Sequence, residues 1–306
     1  MRRNKYKERK VAVLMGGMSS EREISILSGR ECGKSLREIG FDVIEIDPSY
    51  DIVNDLKKYD PEIVFNALHG SWGEDGNVQS ILEYLGIKYT HSGVLSSALA
   101  MNKIISKKIF AEHEIPIAKT FNLLKPDLSK INFPIIIKPV NGGSSIGLEI
   151  IEDKYMLLDY IKNNKKQIMN VFAEEYVEGI DLSCAIMGDQ VLDVAEIVMD
   201  GRLFDYNAKY ISKNTKHLIP ANIKPNVYED LKEYALRAHK CLNCKGVTRV
   251  DFRYMNSLQH ERLVCLEINT QPGMTKKSIL PDIASYTGIK FDELIKWITQ
   301  DASINR

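Results

Sequence analysis

No run of apolar residues in this 306-residue chain approaches the ~18 needed to cross a bilayer, so a membrane helix is not its organising element. Behind the basic start "MRRNKYKERK" the stretch "VAVLM" stops at Gly16 and Gly17, too short for a secretory leader, and a cytoplasmic protein is expected. Net charge is missing too. The 41 acidic and 41 basic residues cancel, leaving no field that would attract nucleic acid or an anionic membrane. Cysteines number only five, an odd count that fits a reducing compartment and not a disulfide scaffold. Cys241 and Cys244 form a lone CxxC in the helical pattern "VYEDLKEYALRAHKCLNCKG", and without a second pair at zinc spacing it reads as helix packing. Internal repeats and low-complexity tracts are also absent.

What remains is an ordinary globular composition, with length for two or three domains. The first ~95 residues alternate apolar strands with amphipathic segments: "KVAVLMGG", a helix from Glu21 to about Ile39, "FDVIEID", a short helix, "EIVFNALHG", then "GNVQSILEYLG". That order predicts a parallel sheet with helical crossovers, whose ligands gather at strand carboxyl ends, here the glycine-rich "GGMSSERE" and "ALHGSWGEDG". One long helix, "VLSSALAMNKIISKKIFAEHE", follows. Beyond it the period changes to strands and hairpins, which marks a domain boundary near residue 96.

Near the other end, "GVTRVDFRYM" and "RLVCLEINT" are joined by "NSLQHE" and read as a hairpin. A turn centred near Gln259 sets Asp251 opposite Glu267 and Arg249 opposite Asn269. These four polar groups then share one face, while Val250, Phe252, Leu266 and Ile268 take the other. Two opposed carboxylates repel unless a cation lies between them. Asp251, Glu267 and Asn269 therefore suggest an all-oxygen Mg²⁺ site, although a solvated hairpin face would show the same spacing.

In "FPIIIKPVNGGSSIGLEII", two apolar strands flank Gly142, Gly143 and Gly147, with Ser144 and Ser145 between them. Backbone amides there can form an anion nest, and Lys138 adds positive charge, yet the loop matches neither the Walker pattern nor GxGxxG. An ordinary glycine hairpin stays open as an alternative. "FAEEYVEG" puts Glu174 and Tyr176 on one strand face.

Taken in order, "GGMSSEREIS", "ALHGSWGEDG", "SALAMNK", "IIIKPVNGGSSIG", "EEYVEG", "DYNAKY", "TRVDF" and "EINTQPGMTKKS" resemble the ATP-grasp superfamily, and closely the D-alanine–D-alanine ligases, over about residues 10 to 300. The resemblance implies an α/β ATP-grasp fold of three domains. These are a parallel α/β substrate domain at 1–95, a central ATP-binding lid at 96–182, and a catalytic domain with an antiparallel sheet at 183–306. It also implies ATP-dependent joining of two D-alanines through an acyl phosphate for peptidoglycan synthesis. The cofactors would be ATP and two Mg²⁺ ions, with Mn²⁺ able to substitute, and the assembly a homodimer.

By the same resemblance, the metal ligands are Asp251, Glu267 and Asn269, and the phosphate-contacting lysines are Lys103 and Lys138. Ser144 and Ser145 lie on the loop closing over the nucleotide. Glu174, Tyr176 and Val177 bind adenine, Asp181 binds ribose, and Lys209 joins the ATP site. Glu21 holds the first D-alanine's amino group, with His69 nearby. Capping of the first helix by a box from Ser20 to Glu23 would leave Glu21 for that task. Arg249 and the Gly273 amide steady the oxyanion, and Ser278 and Ile279 contact the second substrate. Tyr210, on a covering loop with Lys209, would hydrogen-bond with Ser144 and Glu21 and favours D-alanine as second substrate. The residues also fit another ATP-grasp carboxylate–amine ligase, distinguished by Glu21, Tyr210 and Ser278. A non-catalytic nucleotide-binding regulator would be signalled by loss of Arg249 or a metal ligand, and neither is lost.

Three positions depart from the family's habit: Asn102 and Asp181, where relatives usually carry aspartate and glutamate, and Gln271. Asn102 and Asp181 together predict weakened ATP affinity, checked by titrating ATP against turnover. A KM in the usual range would dismiss the expectation.

Overall fold

The computed structural model describes residues 9–48, 51–143, 147–202, 214–257 and 260–306. Ser144, Ser145, Lys209 and Tyr210, together with the turn residue Gln259, lie outside the described residues.

The first layer holds β1 (Lys10–Leu14), α1 (Arg22–Ile39), β2 (Asp42–Ile46), α2 (Ile52–Tyr59), β3 (Ile63–Asn66), α3 (Asn77–Leu85) and β4 (Lys88–Tyr89). Its strands run parallel in the order β2-β1-β3-β4. Val11 to Leu14 are buried on both faces, as a strand covered by crossover helices must be. The expected capping box does not form. The helix begins one residue later, at Arg22, with Glu21 at the N-cap position and no side-chain cap. Ser19 turns the chain instead, accepting from the Glu21 amide at 3.1 Å and donating to the His69 carbonyl at 2.6 Å.

The single long helix expected next is two, α4 (Val94–Met101) and α5 (Lys103–Glu112). Asn102 breaks it by leaving helical geometry and capping α5, its Oδ1 accepting from the Ile105 amide at 3.1 Å. Asparagine and aspartate cap about equally well, so this departure from the family's habit is absorbed locally. The expectation of weakened nucleotide binding then falls on Asp181 alone.

A small antiparallel sheet, ordered β5-β8-β6-β7, comes from β5 (Thr120–Phe121), β6 (Ile135–Pro139), β7 (Glu149–Ile151), α6 (Lys154–Asn163) and β8 (Val171–Glu175). Period-2 alternation divides its faces. Ile135, Ile137 and Ala173 pack into a core with Leu157 of α6. Ile136, Lys138 and Glu174 therefore point the other way, where they line a cleft.

The third sheet runs β11-β10-β9-β12-β13 and is formed by β9 (Ile180–Met187), β10 (Gln190–Val198), β11 (Lys216–Leu218), α7 (Pro225–Cys241), β12 (Val247–Asn256) and β13 (Glu261–Asn269). One face, with Cys184, Ile186 and Val250, packs under α7 and α5. The other, with Ala185, Ala195 and Val247, joins α8 (Ile279–Tyr286), α9 (Phe291–Asp301), α1 and β1 in one core. The parallel layer and the third sheet thus share a hydrophobic core, while the small sheet keeps its own.

Cys244 is buried and Cys241 half-buried, and burial pushes their thiols up to about 12 and about 11, so both are poor thiolates. Burial also acts on two histidines, His91 and His239. Burial lowers His91 to about 3, with the charges of Arg306 and His69 acting in the same direction. It also lowers His239, whose Nδ1 lies 2.8 Å from Thr248 Oγ1, to about 4. In the unfolded chain each takes up a proton near its ordinary value of 6.5, which the folded state refuses. Stability must therefore fall as pH drops from 6.5, by up to about 1.4 kcal/mol per pH unit for each histidine. Urea denaturation between pH 7 and pH 5 should show that decline. His91→Asn, a residue that tolerates the left-handed φ of 69° found there, should reduce the slope by about half, leaving the share due to His239.

Candidate active site

The cleft lies between the small sheet and the edge of the third sheet and encloses about 890 Å³, part of it open to solvent. Lys103, Lys138, Glu174, Tyr176, Val177, Asp181, Asp251 and Glu267 all line it. A smaller recess shares Lys103, Gly143 and Glu267 with the cleft and adds Glu74 and Asn269.

At the hairpin wall, Asp251 stands opposite Glu267 and Arg249 opposite Asn269, the register read from the sequence. That register holds only on this side of an irregularity between Asp251 and Phe252, past which Phe252 pairs with Cys265. One extra residue in β13 turns Leu266 away from its expected partners. Val250, Phe252 and Ile268 pack with Cys265 in the core, whereas Leu266 lies against Val177 and Val264 and lines the cleft.

Each opposed carboxylate meets a cation. Arg249 grips Asp251 with Nε to Oδ1 and Nη2 to Oδ2, both 2.8 Å, and Ser183 Oγ donates to Oδ1 at 2.6 Å. Lys103 Nζ lies 3.2 Å from Glu267 and donates to the Gly142 carbonyl at 2.6 Å. A lysine in the first turn of a helix opposes the macrodipole, so the pairing with Glu267 must outweigh an unfavourable position. Asn269 Oδ1 accepts from the Gln271 amide at 2.8 Å.

Register also explains the far wall, because Ile136 faces Glu174 and Lys138 faces Phe172, placing Lys138 and Glu174 diagonally on one face. Glu174 is 1% exposed. Burial pushes its carboxyl up, but the charges of Lys107 and Lys138 outweigh this and hold it below the ordinary range. Lys107 lies 2.9 Å from Glu174, and Lys138 makes a shorter contact with it. Sequence reasoning missed Lys107, although it sits four residues after Lys103 and so on the same face of α5.

Arg253 was missed as well. It follows Arg249 and Asp251 on the same strand face, and the alternation could have revealed it. Its guanidinium donates to Asp181 at 2.5 Å, to the Val177 carbonyl at 3.1 Å and to Tyr176 Oη at 3.1 Å.

Around the recess, the Glu21 carboxylate lies between two loops: a Cβ on Gly70 or on Gly143 would come within 2.6 or 2.8 Å of its Oε2. His69 is buried, with Nδ1 2.9 Å from Glu74 and Nε2 3.2 Å from Ser28 Oγ. Burial raises Glu74, against the lowering effect of its bond to His69. Gly273 and Ser278 are neighbours, since a Cβ at 273 would lie 3.0 Å from Ser278 Oγ. Ser278 precedes α8, so Ile279 opens that helix.

Gln271, unusual in the sequence, is 2% exposed and bridges layers: its amide donates to the Leu68 carbonyl while its oxygen accepts from Asn66 at 2.7 Å. Gln271 thus links Asn269, which accepts from its backbone amide, to Leu68, the residue before His69. Gln271→Ala strips both buried partners and should lower unfolding free energy by about 1–3 kcal/mol in urea denaturation. A change within about 0.5 kcal/mol, the surface norm, would show that the tie carries no stability.

Comparison with known proteins is consistent along the chain. The family model described as D-ala D-ala ligase C-terminus matches residues 106–300, and that for the N-terminus matches residues 48–92. A D-alanine–D-alanine ligase of Chelativorans sp. (strain BNC1) is 44% identical, covering 98% of this chain and all of that protein. Among solved structures, the D-alanine–D-alanine ligase of Bacillus anthracis complexed with ATP superposes with a TM-score of 0.80 at 30% identity, covering 96% of this chain and 97% of that one. VanG, a D-Ala:D-Ser ligase from Enterococcus faecalis, gives 0.78 at 28% identity, covering 95% and 98%. This chain, an α/β protein of the ATP-grasp fold, belongs to the D-alanine–D-alanine ligase family.

Proposed function

We propose that this protein joins two molecules of D-alanine at the expense of ATP, supplying D-alanyl-D-alanine for peptidoglycan. The observation that carries the reading is the opposed pair Asp251 and Glu267, with Asn269 alongside, on one wall of a cleft whose other walls hold Lys103, Lys138 and Glu174.

In this reading the nucleotide fills the cleft. Adenine lies on the Tyr176–Val177 backbone beside Glu174, whose depressed pKa keeps it an acceptor for an amino group. Asp181 faces the ribose, and Lys103 and Lys138 face the phosphates with Ser144, Ser145 and Lys209. The donor set of two carboxylates and one amide oxygen fits a hard cation such as Mg²⁺, a reading supported by the positive charge that Arg249 and Lys103 bring to the same carboxylates. Bound there, Mg²⁺ would neutralise phosphate charge as it shifts in phosphoryl transfer.

Glu21, between the Gly70 and Gly143 loops, holds the first D-alanine's ammonium, with His69 fixed as the Nδ1–H tautomer by Glu74. The substrate carboxylate attacks the γ-phosphate, giving an acyl phosphate and ADP. The amine of the second D-alanine, which Ser278 and Ile279 hold at the start of α8 where helix amides favour a carboxylate, then attacks the acyl carbon. The C–N bond forms, the bond from that carbon to the phosphate oxygen breaks, and inorganic phosphate and a proton are released. Arg249 and the Gly273 amide stabilise the tetrahedral oxyanion. Tyr210, with Ser144 and Glu21, orients the second substrate. The expected boundaries of 1–95, 96–182 and 183–306 are adjusted by the packing: we assign the lid to the small sheet with its own core, about 120–175, leave α4, α5 and β9 with the catalytic body, and place the protein in the cytoplasm as a homodimer.

The test is incubation with ATP, Mg²⁺ and D-alanine, L-alanine, or D-alanine mixed with D-lactate or D-serine, followed by mass spectrometry and phosphate release. D-alanyl-D-alanine is expected, with none from the L-isomer, and Asp251→Asn should lower kcat at least 100-fold, on the order of removing one transition-state electrostatic contact. A depsipeptide or D-Ala-D-Ser as main product would overturn the second-substrate assignment. Neither product nor phosphate would overturn the activity.

A further inference from the structure

Arg253 is 7% exposed, yet no reacting group in the mechanism above needs it. A buried guanidinium is expensive to keep, and the disposition of its donors indicates its task. β12 pairs with β9 so that Arg253 lies directly across from Asp181. Nη1 reaches Asp181 Oδ2 at 2.5 Å, and Nε reaches the Val177 carbonyl at 3.1 Å. Nη2 reaches Tyr176 Oη at 3.1 Å and the Arg202 carbonyl at 3.0 Å. The guanidinium also lies 5.6 Å from the centre of the Tyr176 ring, and Arg202 stacks on that ring at 4.9 Å. One side chain thus fixes a carboxylate, a strand carbonyl and an aromatic ring, all belonging to the nucleoside end of the cleft.

We propose that Arg253 is a positioning residue for nucleoside recognition, holding the Asp181 carboxylate and the Tyr176–Val177 segment in the geometry that reads the ribose hydroxyls and base of ATP. The inference rests on the nucleotide placement given above. Asp181 is a short acid on the wall of a site for a polyanion, where an unneutralised carboxylate would repel the ligand and swing freely. The planar fork of an arginine cancels that charge and fixes the rotamer in advance, so less ordering is left for the ligand to impose. Lysine would keep the charge but could not hold carboxylate, carbonyl and hydroxyl together.

The test compares ATP with 2′-deoxy-ATP in the ligation assay for wild type, Asp181→Ala, Arg253→Met, Arg253→Lys and the double variant Asp181→Ala/Arg253→Met. Arg253→Met should raise the KM for ATP about tenfold, the loss of one charge-assisted hydrogen bond, with kcat and the KM for D-alanine nearly unchanged. It should also shrink the preference for ATP over 2′-deoxy-ATP towards that of Asp181→Ala, with no further loss in the double variant. Arg253→Lys should fall between and supplies the readout if Arg253→Met does not fold. An unchanged preference in the arginine variants beside a lost one in Asp181→Ala would overturn the role of Arg253. So would equal losses in kcat and both KM values alongside a lowered Tm, which mark plain destabilisation. An unchanged preference in Asp181→Ala would instead remove the nucleotide placement itself.

Discussion

Two carboxylates facing each other across neighbouring strands repel, and much of this architecture answers that repulsion. Asp251 and Glu267 cannot both be ionised at close quarters unless positive charge is supplied, and it arrives from different elements. Arg249 comes from the same strand face as Asp251, two residues back, as a bidentate partner. Lys103 reaches Glu267 only because α5 begins where it does, and α5 begins there because Asn102 interrupts what would otherwise be one continuous helix. Lys103 also bonds the Gly142 carbonyl, which brings the glycine-rich loop over the same wall. Helix break, loop position and hairpin register thus form one electrostatic arrangement.

The hydrophobic cores set how that arrangement can move. The parallel layer and the third sheet share a core through α1, α8 and α9. Phe121 to Ala173 enclose a separate one beneath the small sheet. Between them, among the described residues, lies a small cluster of Ala118, Val177 and Val264, with Met255 and Leu266 against it. Few apolar contacts bridge that seam, but ion pairs do: Lys107 of α5 pairs with buried Glu174, and Arg262 of β13 lies 2.6 Å from Glu175. Lys138 and Glu174 would travel with the small sheet, whereas Asp251 and Glu267 belong to the larger body. A relative movement of the two bodies would narrow the cleft between them, as many enzymes close over a ligand to exclude water.

Strand alternation and the order of motifs made most of this legible. The parallel layer, the hairpin and the opposition of Asp251 to Glu267 follow from period-2 and βα patterns, which depend on local chemistry alone. Less legible were features decided by tertiary competition. Nothing local marks the extra residue in β13 that sends Leu266 into the cleft, because leucine satisfies either face equally well. The Ser20–Glu23 box had the right spacing, yet Ser19 was already engaged with the His69 carbonyl, fifty residues away. Asn102 was seen as a departure from a family pattern, but not as the cap that divides a helix. Lys107 and Arg253 were passed over because a lone basic residue is usually solvated, and only burial separates the exceptions.

Those exceptions bear on why the cleft contains so much buried charge. Glu174 between Lys107 and Lys138, and Asp181 against Arg253, are arrangements that well-packed apolar side chains could replace with no loss of stability, and with a gain in many proteins. Their place on the cleft wall fits a recognition role. A carboxylate held ionised in a nearly dry wall accepts hydrogen bonds from a ligand with little competition from water, and its fixed geometry rejects ligands that cannot donate. Selectivity of this kind needs the anion to stay charged when no ligand is bound, and for Glu174 the charges of Lys107 and Lys138 favour that. In the proposed reading Lys107 and Lys138 keep Glu174 ionised, a task separate from the phosphate contact proposed for Lys138.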